Sequence, residues 1–220
     1  MESKGFTPPP QRDFEYALNQ AEELAVRELR GVMDIAGLCK RSGATYHVED
    51  SHRVIILKYL NRDYHLRLPG AEIHAAGSDE TIPQKRRILL LHYLLNAQGT
   101  PPCGRAIGFQ DLPQGLSYHP TFTKRTISPL TRHFGPQPHK LLEAAAELGA
   151  EPIATADAAV VIPAFPRAPV TLVIWAGDAE FPPSGGIMFD ETITDYLPVE
   201  DIIVLCEDIV WTLIRRSRPG

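Results

Sequence analysis

Apolar residues recur at helical spacing near the start of the chain, at Phe14, Leu18, Ala21, Ala25, Leu29 and Val32, with Glu22, Glu23 and Arg27 on the other sides. Asp13 reads as the cap of this helix, and Gly31 and Gly37 predict a break before Gly43. From Thr45 to His74 the period drops to two. Tyr46 and Val48, then Val54 and Ile56, then Tyr64, Leu66 and Leu68 alternate with polar residues, with turns at Glu49-Asp50-Ser51 and Asn61-Arg62-Asp63. This predicts a three-stranded antiparallel meander with one buried face. Its other face carries His47, His65 and Arg67.

The middle third returns to helical spacing. Pro83 opens a helix over Gln84 to Leu95, apolar on nearly every side and therefore central. A Gly- and Pro-rich loop to Tyr118 holds one short strand, Ala106 to Phe109. Pro120 opens the next helix, which Pro129 interrupts and Gly135 ends, and His139 to Leu148 forms another, stopped by Gly149. Ala158 to Ile162, Val170 to Trp175 and Ile187 to Phe189 are β-branched or aromatic enough to be strands. Ser184-Gly185-Gly186 reads as a tight turn. Pro198 opens a final helix with Ile202, Leu205, Ile209 and Leu213 on one face. Strands and helices are grouped, so the fold class is α+β: antiparallel sheets packed with a central apolar helix and a C-terminal helix. Residues 1–12 read as a flexible proline-rich leader and 13–217 as one domain.

Charge changes this picture more than composition does. The net charge is −5, yet no lysine or arginine lies between Ala168 and Ile214, while nine acids fall between Asp178 and Asp208. Basic residues gather earlier, at Lys85-Arg86-Arg87 and Lys124-Arg125. An acidic C-terminal third excludes a nucleic-acid footprint. No apolar run approaches the roughly 18 residues of a membrane span, and residues 1–12 have no apolar signal region. Three cysteines, odd in number and far apart, fit free thiols in a reducing cytoplasm. The expected partners are a small-molecule ligand and a protein, with no nucleic acid and no membrane.

Metal-ligand spacings are missing: there is no C-x-x-C, no H-E-x-x-H and no His pair on one helical turn. His92 inside the apolar helix reads as a hydrogen-bonded core histidine. Nucleotide-binding glycine motifs are missing as well. Two segments remain rich in ligand-binding side-chain types. Tyr118, Phe122 and Arg125 offer two rings beside a guanidinium, an arrangement that suits a planar anion. Core packing of the rings, with Arg125 paired to an acid, is the competing account. Trp175, Asp178 and Glu180 follow a buried strand and offer an apolar wall with carboxylates. Glu200 and Asp201 are explained by the dipole of the last helix, and Asp195 by capping. These six residues form the expected ligand pocket, with no metal and with catalytic residues and cofactor open.

The order of several segments resembles a prokaryotic domain-of-unknown-function family, number 3786. They are Leu90-Leu91-His92-Tyr93-Leu94-Leu95-Asn96-Ala97-Gln98-Gly99-Thr100-Pro101, Phe109-Gln110-Asp111-Leu112-Pro113-Gln114-Gly115, Tyr118-x-Pro120-x-Phe122, Trp175-x-Gly177-Asp178-x-Glu180-Phe181-Pro182 and Asp195-Tyr196-Leu197-Pro198-x-Glu200-Asp201. The resemblance implies a protein of anaerobes, whose relatives sometimes carry iron–sulfur modules. Cys39, Cys103 and Cys206 are too few for a four-cysteine cluster of this chain's own. The resemblance further implies a ligand-binding or accessory role in corrinoid or iron–sulfur cofactor metabolism. The alternatives are an enzyme for a small anionic substrate, using Arg125 with Asp178 or Glu180, and an acidic protein-interaction module.

Overall fold

The computed structural model describes residues 11–50 and 52–218, with side chains from residue 15 onward. Helix α1 (Gln11–Gly31) begins before Asp13, so Asp13 is not its cap. Residues 1–10 of the expected leader, the Asp13 and Phe14 side chains and the Ser51 turn position lie outside what is described, while residues 11 and 12 belong to α1. The glycine break is where the sequence places it. Helix α2 (Ile35–Ser42) starts at Asp34, whose carboxylate accepts from the Gly37 N–H at 2.8 Å, and stops at Gly43 in the left-handed region (φ 74°).

The meander has four strands, β1 (Thr45–Glu49), β2 (His52–Tyr59), β3 (Arg62–Leu68) and β4 (Glu72–Ala75), in chain order and all antiparallel. The short β4 has too few alternations to announce itself. The phase of β2 is also corrected. Ile55, Leu57 and Tyr59 are the fully buried positions, whereas Val54 pairs with His47 and Arg67 and so lies on the opposite face with them. The unbroken apolar run from Val54 to Leu57 lets either phase look apolar.

Helix α3 (Gln84–Asn96) is the axis of the core. Leu89, Leu90, Leu91, Tyr93 and Leu94 are each at most 1% exposed, and the helix packs against α1, α2 and the C-terminal helix α7 (Val199–Arg216). Each buried leucine contributes roughly 1.5–3 kcal/mol. That outweighs the misplaced positive charge of Lys85, Arg86 and Arg87 at the helix N-terminus, which costs roughly 0.3–1 kcal/mol apiece. Tyr93 stacks on Phe165 with ring centres 4.0 Å apart, and its hydroxyl donates to the Ser42 carbonyl at 2.8 Å.

A short strand, β5 (Ala106–Gly108), and a 3-10 turn, Phe109–Asp111, lead into α4 (Gly115–Phe122), so Pro120 sits within a helix already begun. Pro129 does not interrupt either. A π-helical turn at Thr123–Ile127, closed by the Ser128 N–H on the Thr123 carbonyl, carries the chain into α5 (Ser128–Phe134). The widened turn accommodates a proline that has no N–H to give. Helix α6 (His139–Ala146) then packs on β7 of the second sheet and α5 on β9, and both helices contact α7.

That sheet has the order β5-β9-β8-β7-β6, all antiparallel, from β6 (Glu151–Pro152), β7 (Ala158–Phe165), β8 (Ala168–Trp175) and β9 (Ser184–Asp190). Val160, Leu172 and Ile187 form one buried rung and Ile162, Val170 and Phe189 the next. Ser184-Gly185-Gly186 is strand and not turn. A Cβ on Gly185 would lie 2.7 Å from Thr131 Oγ1, so the missing side chain is what lets α5 close onto β9. Tyr59 meets Phe165 across the two sheets, and the Leu60 N–H donates to the Ala164 carbonyl at 3.0 Å. Among the described residues one buried apolar cluster runs from Ala25 to Ile214.

Candidate functional site

Helix α7 has two faces. Ile202, Leu205, Cys206, Ile209 and Leu213 are fully buried. The other stripe, at spacings of three and four from Val204 to Arg216, lines a cleft of about 620 Å³, within the roughly 300–1,000 Å³ range of small-molecule sites. The first turn of α3, with Pro83, Lys85 and Arg86, makes the facing wall, and Arg62 and Glu80 close one end. Five basic side chains line the cleft against three acidic ones, the reverse of the balance over the whole chain.

A partly buried network fixes the floor. Arg86 donates through Nε and Nη2 to the two oxygens of Asp208, both at 2.8 Å, and the Tyr59 hydroxyl donates to Asp208 at 2.7 Å. The Arg86 guanidinium also lies 5.9 Å from the centre of the Tyr59 ring and reaches the Tyr64 hydroxyl. Burial opposes the charge on Arg86, but its bonds to Asp208 and that carboxylate's charge prevail and raise its pKa. Burial first, and Asp208 second, push Tyr59 well above the usual phenol range. Both groups are locked in their donor forms. Glu207 is shared by Lys85, at 3.7 Å, and Arg125.

The rim differs from the floor. Arg62 pairs with Glu80 at 3.5 Å and Arg216 with Glu147. Among the described residues Arg215 faces no acid and bonds only the Thr212 hydroxyl of its own helix, at 3.0 Å. Trp211, 43% exposed, lies on the lining between the acidic floor and these arginines. The first turn of α3 has no side-chain cap and no acid, and its Arg86 and Arg87 N–H groups are taken by the Pro83 carbonyl, at 2.9 and 3.1 Å. Arg215, with no acid partner among the described residues and beside an exposed indole, is the place in the cleft that suits an anion.

The six residues expected from sequence are distributed differently. Phe122 is fully buried, stacked on Phe109 at 3.9 Å, and so packs the core. The π-helical turn points Arg125 at Glu207, and Tyr118 donates to Glu200 at 3.0 Å, so both attach to α7. The bond to Glu200 raises the Tyr118 pKa. Trp175 is exposed at the end of β8. Asp178 accepts from the Glu180 and Phe181 N–H groups, both at 2.8 Å, and these bonds lower its pKa, which disfavours it as a general acid. Asp178 and Glu180 border a hollow of about 420 Å³ with Gly135 and Pro183, whose lining shares no residue with the α3–α7 cleft.

Other sequence expectations resolve locally. Asp195 caps nothing in α7, which starts after Pro198; it accepts from the Thr100 hydroxyl at 2.5 Å. His92 pairs with Asp201 across α3 and α7 at 2.7 Å and is only part-buried. That bond, opposed by burial and aided by the charges of Asp201 and Glu28, raises the His92 pKa. Asp190 gathers N–H groups of Cys103, Gly104 and Thr192 and the Thr192 hydroxyl. Burial works against these bonds, yet they bring Asp190 down to about 2. The cleft itself was missed because its floor joins residues 122 positions apart. The available signal was the polar stripe of the last helix, where Glu207, Trp211 and Arg215 recur every fourth residue opposite the apolar one.

Among the described residues no helix is long and apolar enough to cross a membrane, and no three or more His, Cys, Asp or Glu side chains gather as a metal site. No curated protein and no solved structure matches the chain. A family profile does, over residues 34–212, which takes in α2, both sheets, α3 and the α7 stripe as far as Thr212. The chain belongs to the family described as domain of unknown function (DUF3786).

Proposed function

We propose that this is a cytoplasmic protein that binds a small anionic molecule in the α3–α7 cleft. The observation that carries the reading is the reversal of charge there: five basic residues to three acidic in a chain of net charge −5. A cleft that concentrates positive charge on a negative molecule draws anions to one place. Two features support binding over chance clustering. The Arg86–Asp208–Tyr59 floor fixes the lining before any ligand arrives, and Arg215 on the rim has no acid partner among the described residues. Arg125 takes part indirectly, by holding Glu207 with Lys85.

The test is calorimetric titration with inorganic pyrophosphate. Binding should weaken with added salt and fall about tenfold or more in Lys85→Ala and Arg215→Ala proteins that keep the fold. Equal affinity in all three proteins would overturn the reading. The resemblance in sequence supplies the setting, anaerobic corrinoid or iron–sulfur cofactor metabolism. An absorption spectrum and mass analysis of protein purified from an anaerobic host test it: a co-purifying chromophore supports that setting.

A further inference from the structure

We infer that the α3–α7 cleft takes a planar heteroaromatic monophosphate, with the ring on Trp211 and the phosphate on Arg215; this rests on the anion-binding reading above. The order of side chains along α7 carries it. Val204 begins the lining, Glu207 and Asp208 follow one turn on, then Trp211 and Thr212, then Arg215 and Arg216. Successive levels are about one turn apart, so an indole and a guanidinium four residues apart stand side by side on one face.

Trp211 is the aromatic side chain of a lining that is mostly charged. It is 43% exposed although Ile209 and Val210 beside it are buried. Among the described residues no aromatic ring stacks on it. An open indole in a concave wall presents a face for a flat ring, and the energy of stacking does not depend on a particular edge pattern.

The phosphate belongs at Arg215 for a reason of charge. Glu207 and Asp208 at the next level are acids already held by Lys85, Arg125, Arg86 and Tyr59, and they repel an anion. Arg216 is engaged with Glu147, whereas Arg215 has its charge unanswered among the described residues. The C-terminal end of α7 adds about half a negative charge, which the guanidiniums of Arg215 and Arg216 outweigh.

Three probes separate the components: adenosine 5′-monophosphate, ribose 5-phosphate and adenosine, each titrated by calorimetry. The nucleotide should bind about tenfold or more tightly than ribose 5-phosphate. Trp211→Leu should erase that preference while leaving ribose 5-phosphate affinity unchanged. Trp211→Phe, which keeps a ring, should retain most of the preference. Arg215→Gln should weaken both phosphates and leave adenosine unaffected. Equal binding of the nucleotide and ribose 5-phosphate to the unaltered protein, or an unchanged preference in Trp211→Leu, would sink the ring assignment. If pyrophosphate binds without any ring preference, the anion reading stands and this inference fails. If neither pyrophosphate nor nucleotide binds, both fail.

Discussion

Replacing Asp208 with alanine removes the acceptor of three hydrogen bonds at once, two from Arg86 and one from the Tyr59 hydroxyl. Arg86 and Asp208 side chains are 16% and 20% exposed, and Tyr59 is fully buried. Breaking a buried ion pair from one side costs about 3–5 kcal/mol, because the surviving charge stays in place unanswered. Residual exposure, and the Tyr64 hydroxyl still 3.4 Å from Arg86, put the expected loss near the lower end, about 3 kcal/mol. Urea unfolding followed by circular dichroism measures it as a lower midpoint at unchanged slope. Asp208→Asn keeps an acceptor and should lose roughly half as much, and Tyr59→Phe about 1 kcal/mol. The Arg86→Met, Asp208→Leu, Tyr59→Phe triple variant should regain most of the stability, since it leaves no buried polar group of the network without a partner. A loss below about 1 kcal/mol for Asp208→Ala would show that the floor is not a fixed element of the cleft.

The His92–Asp201 pair makes stability depend on pH. Its folded pKa is raised above the ordinary value near 6.5, so its contribution is full below that value and is lost as pH rises through the folded pKa. Stability should therefore fall on going from about pH 6 upward through neutrality, and the fall should flatten in His92→Gln; an identical profile in both proteins would contradict the pairing. Iodoacetamide on the native protein should modify exposed Cys103 first. Cys206 is fully buried and burial pushes Cys39 up to about 11, so peptide mapping that finds either of them modified before Cys103 would count against the packing. Gly115→Ala places a Cβ 2.0 Å from the Phe109 carbonyl oxygen, a backbone clash worth about 1–3 kcal/mol in thermal or urea unfolding. Wild-type stability in that variant would mean that α4 does not begin where it is placed.

Much of the architecture was legible because its signals are local. The change of period between α1 and the meander, the leucine run of α3, and the β-branched runs of β7 and β8 each act within a few residues of themselves. Where they failed, a neighbour decided. Gly185 looks like part of a turn until α5 comes close enough to require glycine in a strand, and Val54 looks core-facing until its pairing with Arg67 fixes the phase. The cleft was legible only as fragments. Lys85-Arg86-Arg87 and the acids of the last helix were visible as opposite charge clusters, but their pairing depends on α3 crossing α7. Arg125 was expected to hold a ligand anion, with an acid partner as the competing account, and Glu207 of α7 is the acid it meets.

The most direct test of anion binding at the α3–α7 cleft uses the chain's two tryptophans as internal reporters. Trp211 lies in the cleft and Trp175 at the end of β8, both exposed and both with an indole N–H visible by nuclear magnetic resonance. Pyrophosphate titrated into nitrogen-15-labelled protein should move the Trp211 indole signal saturably and leave that of Trp175 in place, with Trp211→Phe assigning the two. A Trp211 signal that stays still, or a shift confined to Trp175, would contradict anion binding in the cleft.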